Sequence, residues 1–275
     1  MPAPSYPLFE SLASLEAVRL VSYRLEHHGV WSIDRDSLQR RLSSRTRAIL
    51  IVSPNNPTGS CLRAADREWL IDLAAGHDLA LISDEVFAEY PLRPAADAAS
   101  LHGAAAALTF VLGGLSKSAA LPQLKLAWTT VSGPPVLVDE ALARLEVIAD
   151  TYLSVSTPVQ LAAGALVDGA SALREQIHAR LAANLAALEA VTAGSPVTLI
   201  RPEGGWSAVL RVPAFDSEES IVLRLINEEH VLVHPGFFFD FDTEAWLVVS
   251  LLPEADRFGD AIRRVVARVS TTAVS

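Results

Sequence analysis

Four apolar runs, each ended by small or polar residues, mark the first half of the chain. They are "RAILIVS" ending at Ser53, "LALIS" ending at Ser83, "LTFVLGG" ending at Gly114 and "LKLAWTTVSG" ending at Gly133. Runs without polar alternation predict strands that are buried on both faces, as in parallel sheets. Between the first two runs, "LRAADREWLIDLAAGHD" has apolar residues at helical spacing. This succession predicts an α/β fold, with a mostly parallel sheet and helices on both faces.

The pattern changes in the second half of the chain. From about Pro134 to Val191 it is helical and rich in alanine and leucine. Beyond that, strand-like "WSAVLRVP", "VLVHPG" and "AWLVVSLL" alternate with two helical stretches, "SEESIVLRLINEEH" and "EADRFGDAIRRVVARV", the first capped by Ser217. We therefore predict a larger unit over residues 1–160 and a smaller α+β unit over residues 161–275.

Composition excludes several classes of function. The net charge of −10 and the lack of a basic stripe argue against a nucleic-acid partner. No apolar run reaches membrane-spanning length, and the start "MPAPSYPLFE" does not resemble a signal peptide. Because Cys61 is the single cysteine, an internal disulfide is impossible, and we expect a cytoplasmic protein without a metal site.

Three polar residues follow the ends of predicted strands, where open α/β sheets bind ligands. They are Asn56, Asp84 and Lys117. Taken singly, each residue also has an ordinary structural explanation. Asn56 could belong to a simple turn, Asp84 could cap a helix, and Lys117 could be a solvated surface lysine. Together they suit pyridoxal 5′-phosphate. A desolvated lysine attacks an aldehyde, an aspartate keeps a pyridine nitrogen protonated, and an asparagine amide donates to a phenolic oxygen.

The same residues carry a resemblance to a known family. The strings "SPNNPTG", "SDEVFAEY", "GGLSKSAALPQLKLAW", "EGGW" and "HPG" occur in an order that resembles the class I/II aminotransferases of the fold-type I pyridoxal-phosphate enzymes. The resemblance covers almost the whole chain. It implies a pyridoxal-phosphate cofactor, an amino acid or amine and a 2-oxo acid as substrates, and a homodimer.

The resemblance also implies roles for individual residues. Lys117 is the lysine that forms the Schiff base with the cofactor and moves the proton. Asp84 is the partner of the pyridinium nitrogen, and Asn56 is a ligand of the 3′-oxygen. Ser116 and Lys125 are further cofactor-binding positions, with Lys125 meeting the phosphate.

This sequence departs from the family pattern at several positions. Phe87 stands where a tyrosine commonly binds the 3′-oxygen, so one hydrogen bond is lost. Gly114 and Lys125 replace a serine and an arginine that touch the phosphate, and a lysine lacks the bidentate fork of an arginine. Val248 replaces the arginine that grips the substrate carboxylate, so installing an arginine there is expected to favour ordinary α-amino acids.

The resemblance begins at "PSYPLFE", a segment that in relatives follows about the first third of the large domain, including the helix N-terminus that cradles the phosphate. We therefore expect residues 1–160 to form an incomplete large domain of an N-terminally shortened chain that binds the cofactor weakly. Two alternatives remain open. The same motifs serve a pyridoxal-phosphate lyase, and a non-catalytic aminotransferase-like binding module fits the departures at Phe87 and Val248.

Overall fold

The computed structural model of the protein describes residues 1–152 and 154–271. The elements of the first half are a mixture of strands and helices. In chain order they are β1 (Pro2–Ala3), α1 (Leu8–Leu15), β2 (Tyr23–His27), β3 (Trp31–Ile33), α2 (Arg35–Arg41), β4 (Ala48–Val52), α3 (Ala64–Gly76), β5 (Ala80–Asp84), β6 (Thr109–Gly114), α4 (Leu115–Ser118), a 3₁₀ turn (Pro122–Leu124) and β7 (Ala127–Ser132).

The second half begins with three helices and ends in a small sheet with further helices. In chain order the elements are α5 (Pro135–Thr151), α6 (Thr157–Asp168), α7 (Ser171–Thr192), β8 (Thr198–Ile200), β9 (Ser207–Arg211), α8 (Glu218–Glu229), β10 (His234–Pro235), a 3₁₀ turn (Gly236–Phe239), β11 (Trp246–Ser250) and α9 (Ala255–Thr271). The predicted division at residue 160 falls within α6, and the division itself stays a prediction.

The central sheet has the strand order β4-β5-β6-β7. The first three strands are parallel, as the apolar runs predict, whereas β7 runs antiparallel to β6. The prediction that the fourth run is buried on both faces was wrong, because the four residues from Ala127 to Thr130 are exposed. An apolar run shows that a strand has surface to bury, but not whether an element covers it.

A hydrophobic core lies between the central sheet and the helices α2 and α3. Leu70 of α3 and Leu81 of β5 are fully buried there, and Leu38 of α2 is 2% exposed. The predicted helix "LRAADREWLIDLAAGHD" is therefore present as α3, and its apolar face packs on the sheet. This core fixes the ends of β4, β5 and β6 relative to one another.

The smaller sheet is antiparallel with the order β10-β11-β9-β8. Helices α7, α8 and α9 cover one of its faces, and the apolar side of α9 includes Phe258, Ile262 and Val265. As predicted, Ser217 caps α8, because its side chain accepts a hydrogen bond from the Ser220 N–H. The run "VLVHPG" yields only the two-residue strand β10.

None of the helices in the described part of the chain combines the length and apolarity needed to cross a bilayer. Within the same residues, no group of three or more His, Cys, Asp or Glu side chains is arranged to hold a metal ion.

Candidate active site

Three strands of the central sheet end side by side. Val52 of β4 pairs with Asp84 of β5, and Asp84 pairs with Leu112 of β6. The turn of residues 53–60 follows β4, Asp84 closes β5, and Lys117 lies in α4 directly after β6. The parallel pairing therefore brings the three sequence-predicted positions to one edge of the sheet.

The Lys117 side chain lies between two aromatic rings. Its Nζ is 5.5 Å from the centre of the Phe87 ring and 5.1 Å from the centre of the Trp206 ring. Burial lowers the pKa of the Lys117 amine, and the nearby Asp84 carboxylate partly opposes this shift. The amine is therefore closer to its neutral, nucleophilic form than a surface lysine.

Asp84 is half-buried at the end of β5. One carboxylate oxygen, Oδ1, accepts a hydrogen bond from the Val86 N–H at 3.1 Å. Burial raises the pKa of Asp84, while the Val86 N–H and the charge of Lys117 oppose this rise. A desolvated carboxylate of this kind attracts a cationic ligand group, because few internal donors compensate for its lost hydration.

The two asparagines of the turn have different environments. The Asn55 side chain is 2% exposed, donates to the Pro4 carbonyl at 3.4 Å and accepts from the Thr58 hydroxyl at 2.9 Å. The half-buried Asn56 side chain has no hydrogen-bond partner among the described residues. The fold therefore uses Asn55 to shape the turn and leaves the Asn56 amide available to a ligand.

The remaining predicted cofactor positions lie in less defined surroundings. Phe87 is 8% exposed and packs edge-on against Trp206 at a centroid distance of 5.4 Å. Ser116 is half-buried beside Lys117. Lys125 is exposed after the 3₁₀ turn, with φ 52°, and has no ion-pair partner among the described residues. Its phosphate contact stays a prediction.

The sequence pattern did not identify two aromatic residues of the site, Tyr90 and Trp206, as functional positions. The Tyr90 hydroxyl donates to the Lys117 carbonyl at 2.7 Å, and the Tyr90 ring packs edge-on against Trp206. Both residues lie in strings that carry the resemblance, "SDEVFAEY" and "EGGW". Nothing in those strings shows that a tyrosine after β5 and a tryptophan before β9 meet the same lysine.

Val248 lies on β11 and is 2% exposed. Its neighbours in a buried apolar cluster include Trp31 from β3 and Trp246 from its own strand. The position at which the family resemblance places an arginine is therefore filled by apolar packing.

The site offers three groups that suit pyridoxal phosphate. They are the Lys117 amine, the second Asp84 oxygen and the Asn56 amide, and the first lies against two aromatic rings. An amine matches the aldehyde, a carboxylate matches the ring nitrogen, and an amide matches the phenolic oxygen. The residues present thus fit the ring of the cofactor.

A mostly parallel α/β sheet with a desolvated lysine and an aspartate at its carboxyl edge defines a class of protein in which an amine reacts with a carbonyl group. A family model described as aminotransferase class I and II matches residues 1–263. The chain belongs to this family, whose members transfer amino groups.

Individual relatives agree with this assignment. The chain is 25% identical to the glutamate-pyruvate aminotransferase AlaA of Haemophilus influenzae, over 98% of this chain and 69% of that protein. It is 25% identical to the alanine aminotransferase of Mycobacterium tuberculosis, over 96% of this chain and 63% of that protein. The chain thus spans about two thirds of the length of these relatives.

A solved structure confirms the predicted fold class. The crystal structure of an aminotransferase from Escherichia coli superposes with a TM-score of 0.85 at 24% identity, covering 98% of this chain and 69% of that one. The similarity covers 98% of the chain, so the central sheet and the smaller sheet both belong to the aminotransferase fold.

Proposed function

We propose that this protein transfers an amino group between an amino donor and a 2-oxo acid with pyridoxal phosphate as its cofactor. The observation that carries the proposal is the place of Lys117, whose amine is desolvated between Phe87 and Trp206 and lies near the Asp84 carboxylate. Burial penalises the charged form of this lysine and so favours the neutral, nucleophilic amine that the proposed chemistry needs.

The bound cofactor would supply an aldehyde that takes up the amino group and a ring that accepts electron density. In our proposal, Asp84 holds a proton on the ring nitrogen through its charge. Asn56 donates its free amide hydrogen to the phenolic oxygen. The Lys117 Nζ removes the proton from the donor α-carbon and delivers it again to the carbon that receives the amino group. Phe87 and Trp206 keep water away from this amine.

The substrate assignment rests on the relatives and on Val248. Two relatives are named for glutamate, pyruvate and alanine, which supports small amino donors and 2-oxo acids as substrates. Because Val248 is apolar and buried, the substrate carboxylate is held by a group at another position, or the donor lacks a carboxylate there. We include a homodimer in the proposal on the strength of the family resemblance.

A spectroscopic titration tests the proposal. Pyridoxal phosphate is added to the purified chain, and the Schiff-base absorbance band is followed with and without alanine or glutamate. We expect a band that the amino donor bleaches and a 2-oxo acid restores, and no band with the Lys117→Arg variant. A chain that binds the cofactor but never bleaches with any amine would contradict amino-group transfer.

A further inference from the structure

A largely buried ion pair joins the Pro202–Trp206 segment to the region after the asparagine turn. Glu203 Oε1 accepts from Arg63 Nη2 at 2.6 Å, and Glu203 Oε2 accepts from the Cys61 N–H at 2.9 Å. The side chains of Arg63 and Glu203 are only 14% and 17% exposed. Both carboxylate oxygens of Glu203 are therefore committed to this contact.

The backbone of the same segment lies directly on the turn. The N–H groups of Glu203 and Gly204 both donate to the Gly59 carbonyl at 3.0 Å. A Cβ on Gly59 would lie 2.4 Å from the Pro202 Cβ, and one on Gly204 would lie 2.8 Å from the Pro54 side chain. Only glycine permits this approach, so small displacements of the segment disturb the contact with the turn.

The segment ends at Trp206, which forms one wall of the Lys117 site. The Gly205 N–H donates to the Tyr90 carbonyl at 2.9 Å, and the Trp206 ring then packs against Tyr90, Phe87 and the Lys117 amine. One covalent segment thus connects the Arg63–Glu203 pair to the ring that covers the amine.

We propose that Glu203 is a positioning residue for Lys117. By pairing with Arg63 and the Cys61 N–H, it fixes the Pro202–Trp206 segment on the turn and so holds the Trp206 ring against the amine. The inference rests on the proposed function only in treating Lys117 as the reactive amine. It concerns a property of Lys117 that exists before any cofactor binds.

The sign of the change in the pKa of Lys117 distinguishes a displaced Trp206 ring from the direct loss of the Glu203 charge. Asp84 faces the Lys117 amine from the end of β5. Arg174 of α7 approaches α4, the helix that carries Lys117, and donates to the Ser118 carbonyl at 3.3 Å. Neither contacts Glu203. Removing the Glu203 charge through space can only lower the pKa of Lys117, whereas displacing Trp206 admits water and raises it.

The test is a titration of Lys117 in the cofactor-free chain. Lys117 and Lys125 are the only lysines, so a Lys125→Arg background leaves one lysine amine, which is methylated with ¹³C-formaldehyde and followed by NMR. Glu203→Gln is expected to raise the pKa of Lys117 towards its ordinary value of 10.5. The pH dependence of the acylation rate of unmethylated Lys117 should move to higher pH with the pKa, because the neutral amine is the reacting form.

Two further variants keep the test decisive. Arg63→Gln should reproduce the shift, and the double variant should add little to it, because the two side chains meet in one ion pair. Asp97→Asn is the matched control: Asp97 is the other carboxylate that pairs with Arg63, at 3.3 Å, and no contact joins it to the Pro202–Trp206 segment in the described structure, so Lys117 should titrate as in the parent. If Glu203→Gln does not fold by circular dichroism, Glu203→Asp replaces it, with a smaller shift in the same direction.

A folded Glu203 variant with an unchanged or lowered pKa of Lys117 would overturn the inference. Failure of the proposed function gives a different result. In that case, borohydride treatment with pyridoxal phosphate leaves Lys117 unlabelled, while the shift in the cofactor-free chain is still observed.

Discussion

The Lys117 amine and the Trp206 ring lie 5.1 Å apart, although Lys117 follows a strand of the central sheet and Trp206 precedes a strand of the smaller one. Phe87 and Tyr90, which follow β5, are buried in the same hydrophobic cluster as Leu210 and Leu247 of the smaller sheet. The walls of the lysine site are therefore part of the hydrophobic core that the smaller sheet forms with its helices. Changes in the packing of that core should alter the environment of the amine.

The first prediction concerns covalent labelling of the lysine. Reduction with borohydride in the presence of pyridoxal phosphate should place a pyridoxyl group on Lys117, because burial lowers the pKa of its amine and the side chain lies beside Asp84 at the carboxyl edge of the sheet. Peptide mass mapping identifies the labelled residue. Lys125→Arg should retain the label and Lys117→Arg should lose it, and a label found mainly on Lys125 contradicts the assignment.

The second prediction compares two residues around the cofactor ring. Asp84→Asn should weaken pyridoxal-phosphate binding by about 1.5 to 3 kcal/mol, because it removes a charged hydrogen-bond acceptor for the ring nitrogen. Phe87→Tyr should have a much smaller effect, since it adds only a hydroxyl to a ring that already packs at the site. Fluorescence titration gives both affinities, and equal losses in the two variants would argue against the role of Asp84.

The third prediction concerns Val248. On the family resemblance alone, an arginine at this position was expected to favour ordinary α-amino acids, but the structure places Val248 in a buried apolar cluster with Trp31 and Trp246. Val248→Arg should therefore lower the free energy of unfolding by roughly 3 kcal/mol or more, because it buries an unpaired charge. Val248→Ile is the control and should unfold near the parent midpoint in urea. A stable arginine variant that gains activity would restore the earlier expectation.

The fourth prediction uses the single cysteine as a probe. Burial, with a smaller contribution from the Glu203 carboxylate, raises the pKa of the Cys61 thiol from 9.0 to about 11. At pH 8 the thiolate fraction should be about a hundredfold lower than for an unperturbed thiol, and reaction with a disulfide reagent should be correspondingly slow. Glu203→Gln should accelerate it by removing a nearby negative charge. Equal rates in the native and urea-unfolded chain would show that the thiol is not perturbed.

The fifth prediction concerns the exposed apolar surface. Leu15 of α1 and Leu161 of α6 are 80% and 83% exposed, and the strand β7 presents further apolar area. Such surface favours association in water. Leu15→Glu and Leu161→Glu should reduce the average particle mass measured by light scattering, with little change in the unfolding midpoint. Unchanged scattering in both variants would show that these side chains do not drive association.

Much of the fold was predictable from local pattern. The runs that became β4, β5 and β6 are continuous and apolar, the spacing in α3 is helical, and Ser217 is a standard cap. Each of these features depends on neighbouring residues in the chain, so the sequence carries it directly. The order of the strings from "SPNNPTG" to "HPG" likewise identified the family before any contact was known.

The surroundings of those residues depended on contacts between distant parts of the chain. The sequence placed Asn56, Asp84 and Lys117 after strands, but only the parallel pairing of β4, β5 and β6 brings them to one edge. Neither the exposed state of β7 nor the apolar neighbours of Val248 is encoded in those segments alone. Tertiary packing also decided that Trp206 covers Lys117 and that Glu203 pairs with Arg63. Side-chain type and spacing set what a segment prefers locally, whereas burial and the loss of hydration that shifts the pKa of an amine depend on which distant segments pack against it.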